Sequence, residues 1–358
     1  DLTAQVTNFS VNYTKDYSEF AENTYRQADE LIELGSMCAH GPADQSRIAC
    51  DKIVNSAISW ANNSYLIAEG EYDTNEWWEE SNLSNKFMNS MLETFFVADA
   101  KVNQVISQNK NIRAWILEAI QKNRKYEVAQ NNHRTLWVVT AMKSSRFLNE
   151  KIRVGINKKT FVEIGDWELN FQFHKMMNKD GAFEKEATRG TRALFYTGRQ
   201  IGNLLSILEM MEASGNGRYE KFRNKLHIAV GFFLNAVDDP EIIFPYAKKM
   251  WMSPDGNPLN QDYGKNSGEK RATFSFLKIY ASRFPNHQNT ERIMNQKLLS
   301  KYIKEDINIL DAFGVDAGCL QPKPKLKYFN QTSSGEASAK KPNTDINIWP
   351  SVRKLKQK

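Results

Sequence analysis

Apolar residues recur at three- and four-residue spacing along most of the chain. Residues at this spacing lie on one face of an α-helix, so each run predicts an amphipathic helix. The runs cover residues 17–32, 53–61, 87–98, 112–120, 136–147, 161–177, 193–211, 222–237 and 274–284. Strict alternation of apolar and polar residues, which would indicate strands, hardly occurs. The pattern therefore predicts an all-α protein built from antiparallel helices.

Turn-forming residues separate these runs and predict the connections between helices. They lie at Gly41-Pro42, residues 214–217, Asp239-Pro240 and residues 254–258. No linker divides the chain before residue 320, so we predict one helical domain over residues 1–320. After Cys319 the composition changes to Pro, Lys, Ser and Asn. We expect residues 321–358 to form an extended basic tail.

Composition places the chain among globular proteins. It has 358 residues, 41% of them hydrophobic, and 48 basic against 42 acidic side chains give a net charge of +6. This surplus is small and dispersed, whereas DNA binding usually needs a concentrated basic stripe, so we expect no nucleic-acid partner. The net positive charge is compatible with an anionic ligand. No run of 18 apolar residues occurs, and we therefore expect no membrane-spanning helix.

Cysteines and histidines indicate a compartment and argue against a metal site. Cys38 and Cys50 flank a short loop-like segment, and a disulfide there would stabilise an exported protein by about 3 kcal/mol. Two reduced thiols are the alternative, with Cys319 left unpaired in either case. The histidines have no zinc-binding spacing, so we expect no metal. Since the numbering begins at Asp1 without Met, we expect a processed or trimmed N-terminus and a periplasmic or secreted protein.

The first candidate cluster is Asn131-Asn132-His133-Arg134, directly before an apolar run. One interpretation is structural, because asparagine caps helices well and a histidine can lie in the first turn. The functional interpretation has Asn132 donating a hydrogen bond to a substrate carboxylate. His133 would stand beside it as a donor or base.

The second candidate cluster contains Arg189 and Tyr196. If both lie on one helix, they project from nearly the same face, about 10 Å apart along the axis. A guanidinium binds a carboxylate through two N–H groups, and a positive field helps a tyrosine to accept a proton. The alternative is a surface arginine and a core tyrosine. We expect Arg134, Arg192 and Arg199 to extend an anion-binding surface.

Together the two clusters resemble the signatures of a known family. Asn131-Asn132-His133 with Trp137, the segment from Asp180-Gly181 to Glu186, and Arg189-x-x-Arg192-Ala193-Leu194-x-Tyr196 are similar to the motifs of mannuronate-directed alginate lyases. The resemblance implies an incomplete α/α toroid with a deep central cleft that holds an acidic polysaccharide. It also implies cleavage by β-elimination without metal or organic cofactor, and we expect a monomer.

The resemblance also implies a role for each residue. Asn132, His133 and Arg189 would neutralise the uronate carboxylate, and Tyr196 would remove the C5 proton and protonate the leaving oxygen. For the C5 epimer, whose proton lies on the opposite face, His133 would be the base. Aromatic rings can stack on sugars, and Trp78 and Trp137 are candidates for such contacts, with core packing as the alternative.

The sequence departs from the family pattern at two points. Thr197 stands where the family commonly has histidine, and Trp137 lies four residues beyond His133 where three is usual. A lyase for glucuronan or another β-linked polyuronate is therefore an alternative with the same mechanism. A noncatalytic protein that binds acidic glycans is an alternative from another class.

Overall fold

The structure, a computed structural model, describes residues 17–66, 75–249, 256–264, 270, 273, 274 and 276–304. The predicted tail at residues 321–358 and Cys319 lie outside the described residues. The described chain falls into two compact units, which we call unit 1 and unit 2. Unit 1 ends at Glu168, and unit 2 begins at Leu169.

Unit 1 consists of helices and one short hairpin. Its helices are α1 (Tyr17–His40), α2 (Ala43–Asn62), α3 (Asn75–Lys101), α4 (Val105–Gln108), α5 (Lys110–Lys122) and α6 (Asn132–Leu148), and a 3₁₀ turn covers Asn123–Val128. Strands β1 (Ile152–Val154) and β2 (Asn157–Lys159) pair antiparallel. Helix α7 (Phe161–Phe171) begins in unit 1 and continues across the boundary at residue 168.

The core of unit 1 is aromatic and is tied at one edge by a disulfide. Trp60 is buried, with its ring 5.6 Å from Phe87 and 6.2 Å from Phe95 between centroids. Cys38 and Cys50 are joined in a disulfide between α1 and α2. The pair suggested by the sequence is therefore bonded. A bridge over so short a loop stabilises the folded state by about 3 kcal/mol on the chain-entropy model, because it restricts the unfolded chain.

The regular elements described in unit 2 are helices and helical turns, apart from an isolated bridge between Met177 and Phe183. A π-helical turn (Gln172–Met176) follows α7, and α8 (Glu184–Ala187) leads into a 3₁₀ turn (Gly190–Arg192). The remaining helices are α9 (Ala193–Ala213), α10 (Tyr219–Asp238), α11 (Phe244–Ala247), α12 (Phe276–Arg283), α13 (Gln288–Asn295) and α14 (Lys297–Lys304), with a 3₁₀ turn at Pro240–Ile242 between α10 and α11.

Close backbone contact fixes α9 within unit 2. A Cβ added to Gly198 would lie 2.3 Å from the carbonyl oxygen of Thr273, so only glycine permits this approach. Beside it, the buried ring of Phe233 packs edge-on against Phe274 and Phe276. The start of α9, which carries Tyr196, is therefore attached to a well-packed core.

The predicted all-α class is confirmed, with two local differences. The hairpin at residues 152–159 was not expected, because three-residue strands are too short to produce a recognisable alternation. The helix predicted over 161–177 ends at Phe171 and continues as a π-helical turn. Among the described helices, none is long and apolar enough to cross a bilayer.

Candidate active site

The first candidate cluster is the N-terminal turn of α6 in unit 1. Asn131 caps this helix, its Oδ1 accepting a hydrogen bond from the backbone N–H of His133 at 3.2 Å. The structural interpretation therefore holds for Asn131. It leaves Asn132 and His133 in the first turn, where backbone N–H groups and the helix dipole favour an anion.

His133 is oriented by an aromatic neighbour. Its ring stacks on that of Tyr126, with centroids 5.6 Å apart and planes 18° from parallel. Tyr126 itself is 1% exposed, so it presents a fixed surface to the half-buried imidazole. The stack restricts the rotation of the histidine before any ligand arrives.

Arg134 does not extend an anion-binding surface, contrary to the prediction. It is buried, and its Nε donates to Oε2 of Glu168 at 2.7 Å while a terminal N–H donates to the carbonyl oxygen of Glu127 at 2.6 Å. Its guanidinium lies 4.0 Å from the ring centroid of Trp167. The same carboxylate accepts a 2.7 Å bond from the hydroxyl of Thr135. Arg134 therefore anchors the start of α6.

The structure tests one of the two tryptophans predicted to contact sugar. Trp137 is fully buried and donates from Nε1 to the carbonyl oxygen of Ile120 at 3.3 Å. It belongs to the core, so the prediction that it contacts substrate is wrong. Trp78 lies in α3, but its side chain is outside the described residues.

The second candidate cluster is the turn before α9 in unit 2. The prediction that Arg189 and Tyr196 share one helix is wrong, because α9 begins only at Ala193. Gly190 has φ +57° and interrupts the helical path. This break brings the buried Arg189 over Tyr196, with its guanidinium carbon 3.9 Å from the ring centroid. The two side chains are in direct contact rather than two turns apart.

Two further arginines surround the same aromatic pair. The guanidinium carbons of Arg192 and Arg199 lie 4.0 Å and 5.1 Å from the ring centroid of Phe195. Arg192 is also 5.5 Å from the ring of Tyr196, and its Nε lies 4.0 Å from Oδ2 of Asp262. Tyr196 is therefore held beside two cationic side chains.

Thr197, the departure from the family pattern, points away from this surface. It is fully buried, and its hydroxyl donates to the carbonyl oxygen of Ala193 at 2.8 Å. The Thr197 hydroxyl is therefore hydrogen-bonded within α9 and contributes to that helix.

Sequence reasoning missed three residues that position the candidates: Glu168, Tyr126 and Gln261. Glu168 lies 34 residues from Arg134, and Gln261 lies 67 residues from its partner Leu194. No local pattern signals such distant pairs. The described residues contain no group of three or more histidine, cysteine or acidic side chains that could hold a metal ion.

Comparison with known proteins finds similarity to one family over part of the chain. Residues 83–243 match the family model described as alginate lyase. Among curated proteins, no sequence matches the chain. The solved structures that resemble it include a histidine-to-alanine variant of alginate lyase A1-III complexed with a tetrasaccharide, at 15% identity and a TM-score of 0.54 over 75% of this chain and 74% of that one.

Two related structures agree. The same variant without ligand has 15% identity and a TM-score of 0.53, covering 79% of this chain and 74% of that one. A tyrosine-to-phenylalanine variant of the same lyase with tetrasaccharide has 16% identity and a TM-score of 0.53, covering 79% and 76%. These likenesses show a shared fold. The match to the alginate lyase family model over residues 83–243, which contain both candidate clusters, indicates a polysaccharide lyase.

Proposed function

We propose that this protein is an exported, monomeric lyase that cleaves β-1,4-linked, mannuronate-rich alginate by β-elimination. The observation that carries the proposal is the contact of Arg189 with Tyr196, at 3.9 Å, inside the segment that matches the family. The family match supports alginate as the substrate. The disulfide between Cys38 and Cys50 supports export, because disulfides persist in oxidising compartments.

The reaction begins at the C5 proton of a uronate. Removing it places negative charge on a carboxylate that is already anionic, so the proton is weakly acidic. In the proposal Asn132, His133 and Arg189 direct donors at this carboxylate, and each such donor can stabilise the developing charge by about 3 to 4 kcal/mol. Each donor would therefore lower the barrier to removal of the proton.

Tyr196 completes the proton balance. As tyrosinate it takes the C5 proton, and the electron pair of that C–H bond forms the C4–C5 double bond. The C4–O4 bond breaks, and O4 leaves with its electron pair and receives the proton from Tyr196. The products are one chain with a new reducing end and one chain with a 4,5-unsaturated uronate at its non-reducing end, and no oxidant or reductant is consumed.

The surroundings of Tyr196 support this role. Arg189 covers one face of the phenol and Arg192 approaches the same ring at 5.5 Å. Tyr196 is half-buried, so the hydroxyl is held by a packed helix while part of the residue reaches the surface.

The structural relatives support the choice of residue types. Two of the solved structures are variants of alginate lyase A1-III at a histidine and at a tyrosine, and each has been complexed with a tetrasaccharide. His133 and Tyr196 are residues of the same types within the family-matched segment. A chain of several sugars is accordingly the form of substrate that we propose.

The proposal is tested with mannuronan, guluronan, glucuronan and a glycosaminoglycan. We expect the unsaturated product, followed by its ultraviolet absorbance, to form fastest from mannuronan. Tyr196→Phe removes one hydroxyl and should abolish the product while the unfolding midpoint stays close to that of the wild type. Tyr246→Phe is the matched control, since this hydroxyl binds Asn178 and Asp180 outside the proposed machinery.

Each result has a defined meaning. If glucuronan is the preferred polymer, the mechanism stands and the mannuronate assignment is wrong. If Tyr196→Phe retains most activity, the assigned base is wrong. Retention on an alginate column with no product from any polymer would replace the lyase by a noncatalytic glycan-binding protein.

A further inference from the structure

The helix that carries Tyr196 lacks a cap of its own. Its N-cap residue is Arg192, whose side chain has donors and no acceptor, and it makes no capping hydrogen bond. The first backbone N–H groups of any helix need an external acceptor. At α9 one is supplied from outside, because Oε1 of Gln261 accepts from the N–H of Leu194 at 2.9 Å.

The other end of the same amide holds the turn. Nε2 of Gln261 donates to the carbonyl oxygen of Gly190 at 3.0 Å and to that of Pro258 at 2.5 Å. One partner is a donor and two are acceptors, so the orientation of the amide is determined by its partners. Gln261 therefore joins three points: the turn at Gly190, the start of α9 and its own segment.

A backbone link reinforces this connection. The N–H of Asp262 donates to the carbonyl oxygen of Thr191 at 2.6 Å, at the centre of the same turn. The carboxylate of Asp262 also lies 4.0 Å from Nε of Arg192. Residues 256–264 thus brace the turn at residues 189–194, and Gln261 supplies two side-chain hydrogen bonds to that turn.

This brace determines where Arg189 lies. The left-handed conformation of Gly190 sends the chain from Arg189 into α9, and this break allows the guanidinium to stack on Tyr196. Catalytic groups must be held within about 0.5 Å of the productive geometry, and a displacement of about 1 Å can cost about a hundredfold in rate. A turn released at Gly190 and Leu194 would permit such a displacement.

We propose that Gln261 is a positioning residue that fixes Arg189 against Tyr196 for the elimination reaction. It acts through the turn and has no contact with the reacting atoms. The inference rests on the proposed function, because it assigns Gln261 to the same site. Its test must therefore be separable from the test of that function.

The experiment compares Gln261→Ala with Asn216→Ala. Asn216 is a matched control because its amide binds Ser214 at the opposite, C-terminal end of the same helix. We expect Gln261→Ala to lower kcat on mannuronan roughly tenfold to hundredfold with a smaller change in KM. Asn216→Ala should leave kcat within about twofold, because its loss is confined to local stability.

Two further variants separate positioning from stability. Gln261→Glu keeps the acceptor for Leu194 but cannot donate to Gly190 and Pro258, so we expect kcat to fall as far as in Gln261→Ala. In an Arg189→Ala background, Gln261→Ala should have little additional effect on kcat, because the residue that it positions is absent. A purely structural role would instead give additive losses.

The outcome distinguishes the inference from the function. If Tyr196→Phe abolishes activity while Gln261→Ala and Gln261→Glu keep wild-type kcat, the lyase assignment stands and the positioning role is wrong. If Gln261→Ala and Asn216→Ala lower kcat equally, the loss reflects the helix in general and also overturns the inference. Absence of product from every polymer would refute the proposed function, whereas unchanged kcat in Tyr196→Phe would refute only the assigned base.

Discussion

The first turn of α6 and the turn before α9 each place an arginine beside candidate catalytic residues, but they hold it differently. The N–H groups of Arg134 donate to the Glu168 carboxylate and the Glu127 carbonyl oxygen. Arg189 lies over the face of Tyr196. A guanidinium over an aromatic face is attracted by the ring without a hydrogen bond to a carboxylate. The first arrangement anchors a helix, whereas the second holds a cation against an aromatic ring.

The largest expected effects come from removing each arginine in turn. Arg134→Ala leaves the fully buried Glu168 carboxylate without its arginine, so we expect the free energy of unfolding to fall by about 3–5 kcal/mol. Arg189→Ala removes a proposed carboxylate donor, so we expect kcat/KM to fall about 100- to 1,000-fold. Chemical denaturation and steady-state kinetics on mannuronan measure the two effects.

A paired variant controls for the buried charge. Arg134→Met combined with Glu168→Gln removes both charges and should recover much of the lost stability, since neither partner is left ionised. Arg189→Lys keeps a charge but loses the planar group that stacks on the ring, and should give intermediate activity. Arg134→Ala with normal stability, or Arg189→Ala with normal kcat/KM, would remove the distinction between the two turns.

The helices could be predicted from sequence because their signal is local. Runs such as 193–211 and 222–237 repeat every three or four residues, and they correspond to α9 and α10. The cap at Asn131 could also be inferred from its position before an apolar run. The hairpin at residues 152–159 could not, since its strands are only three residues long.

The candidate site was only partly predictable, because its contacts depend on distant residues. Arg134 and Arg189 look alike in sequence, and what separates them is Glu168 beside one and the break at Gly190 after the other. The sequence allows Trp137 either to contact sugar or to pack in the core, and its burial places it in the core. The motif predicts Tyr196 and His133 as site residues. The residues that position them carry no motif, so only the structure reveals them.

A histidine pair in unit 2 should make the stability of the protein sensitive to acid. In unit 2 the rings of His227 and His287 stack at 3.7 Å, and Nδ1 of each lies within 2.9 Å of the Tyr280 hydroxyl. Burial, followed by the charges of His287 and Arg223, lowers the pKa of His227 to about 4. The unfolded chain takes up this proton below about pH 6.5 while the folded chain does not. Stability is therefore complete above pH 6.5 and decreases as the pH falls towards 4.

The size of this acid effect should be moderate. His227 is partly exposed, so after solvent screening we expect a loss of about 1 kcal/mol between pH 6.5 and pH 4. Urea unfolding at several pH values, in the wild type and in His227→Asn, isolates this contribution from that of the carboxylates. A variant with the same pH dependence as the wild type would exclude the histidine pair as its source.

The smallest expected effect concerns the stack that orients His133 in the first turn of α6. Tyr126→Leu removes the ring that lies 5.6 Å from the imidazole, and such aromatic contacts are worth about 0.5–1.5 kcal/mol. We therefore expect kcat on mannuronan to fall about two- to tenfold, and the imidazole proton signals of His133 to move downfield in the NMR spectrum as the ring current is lost. Tyr126→Phe keeps the ring and should retain most of the turnover. Arg134 still anchors the start of α6 in both variants. A loss of kcat confined to Tyr126→Leu would therefore separate the orientation of His133 from the anchoring of its helix. Equal kcat in the wild type and both variants would mean that the stack does not orient a catalytic group.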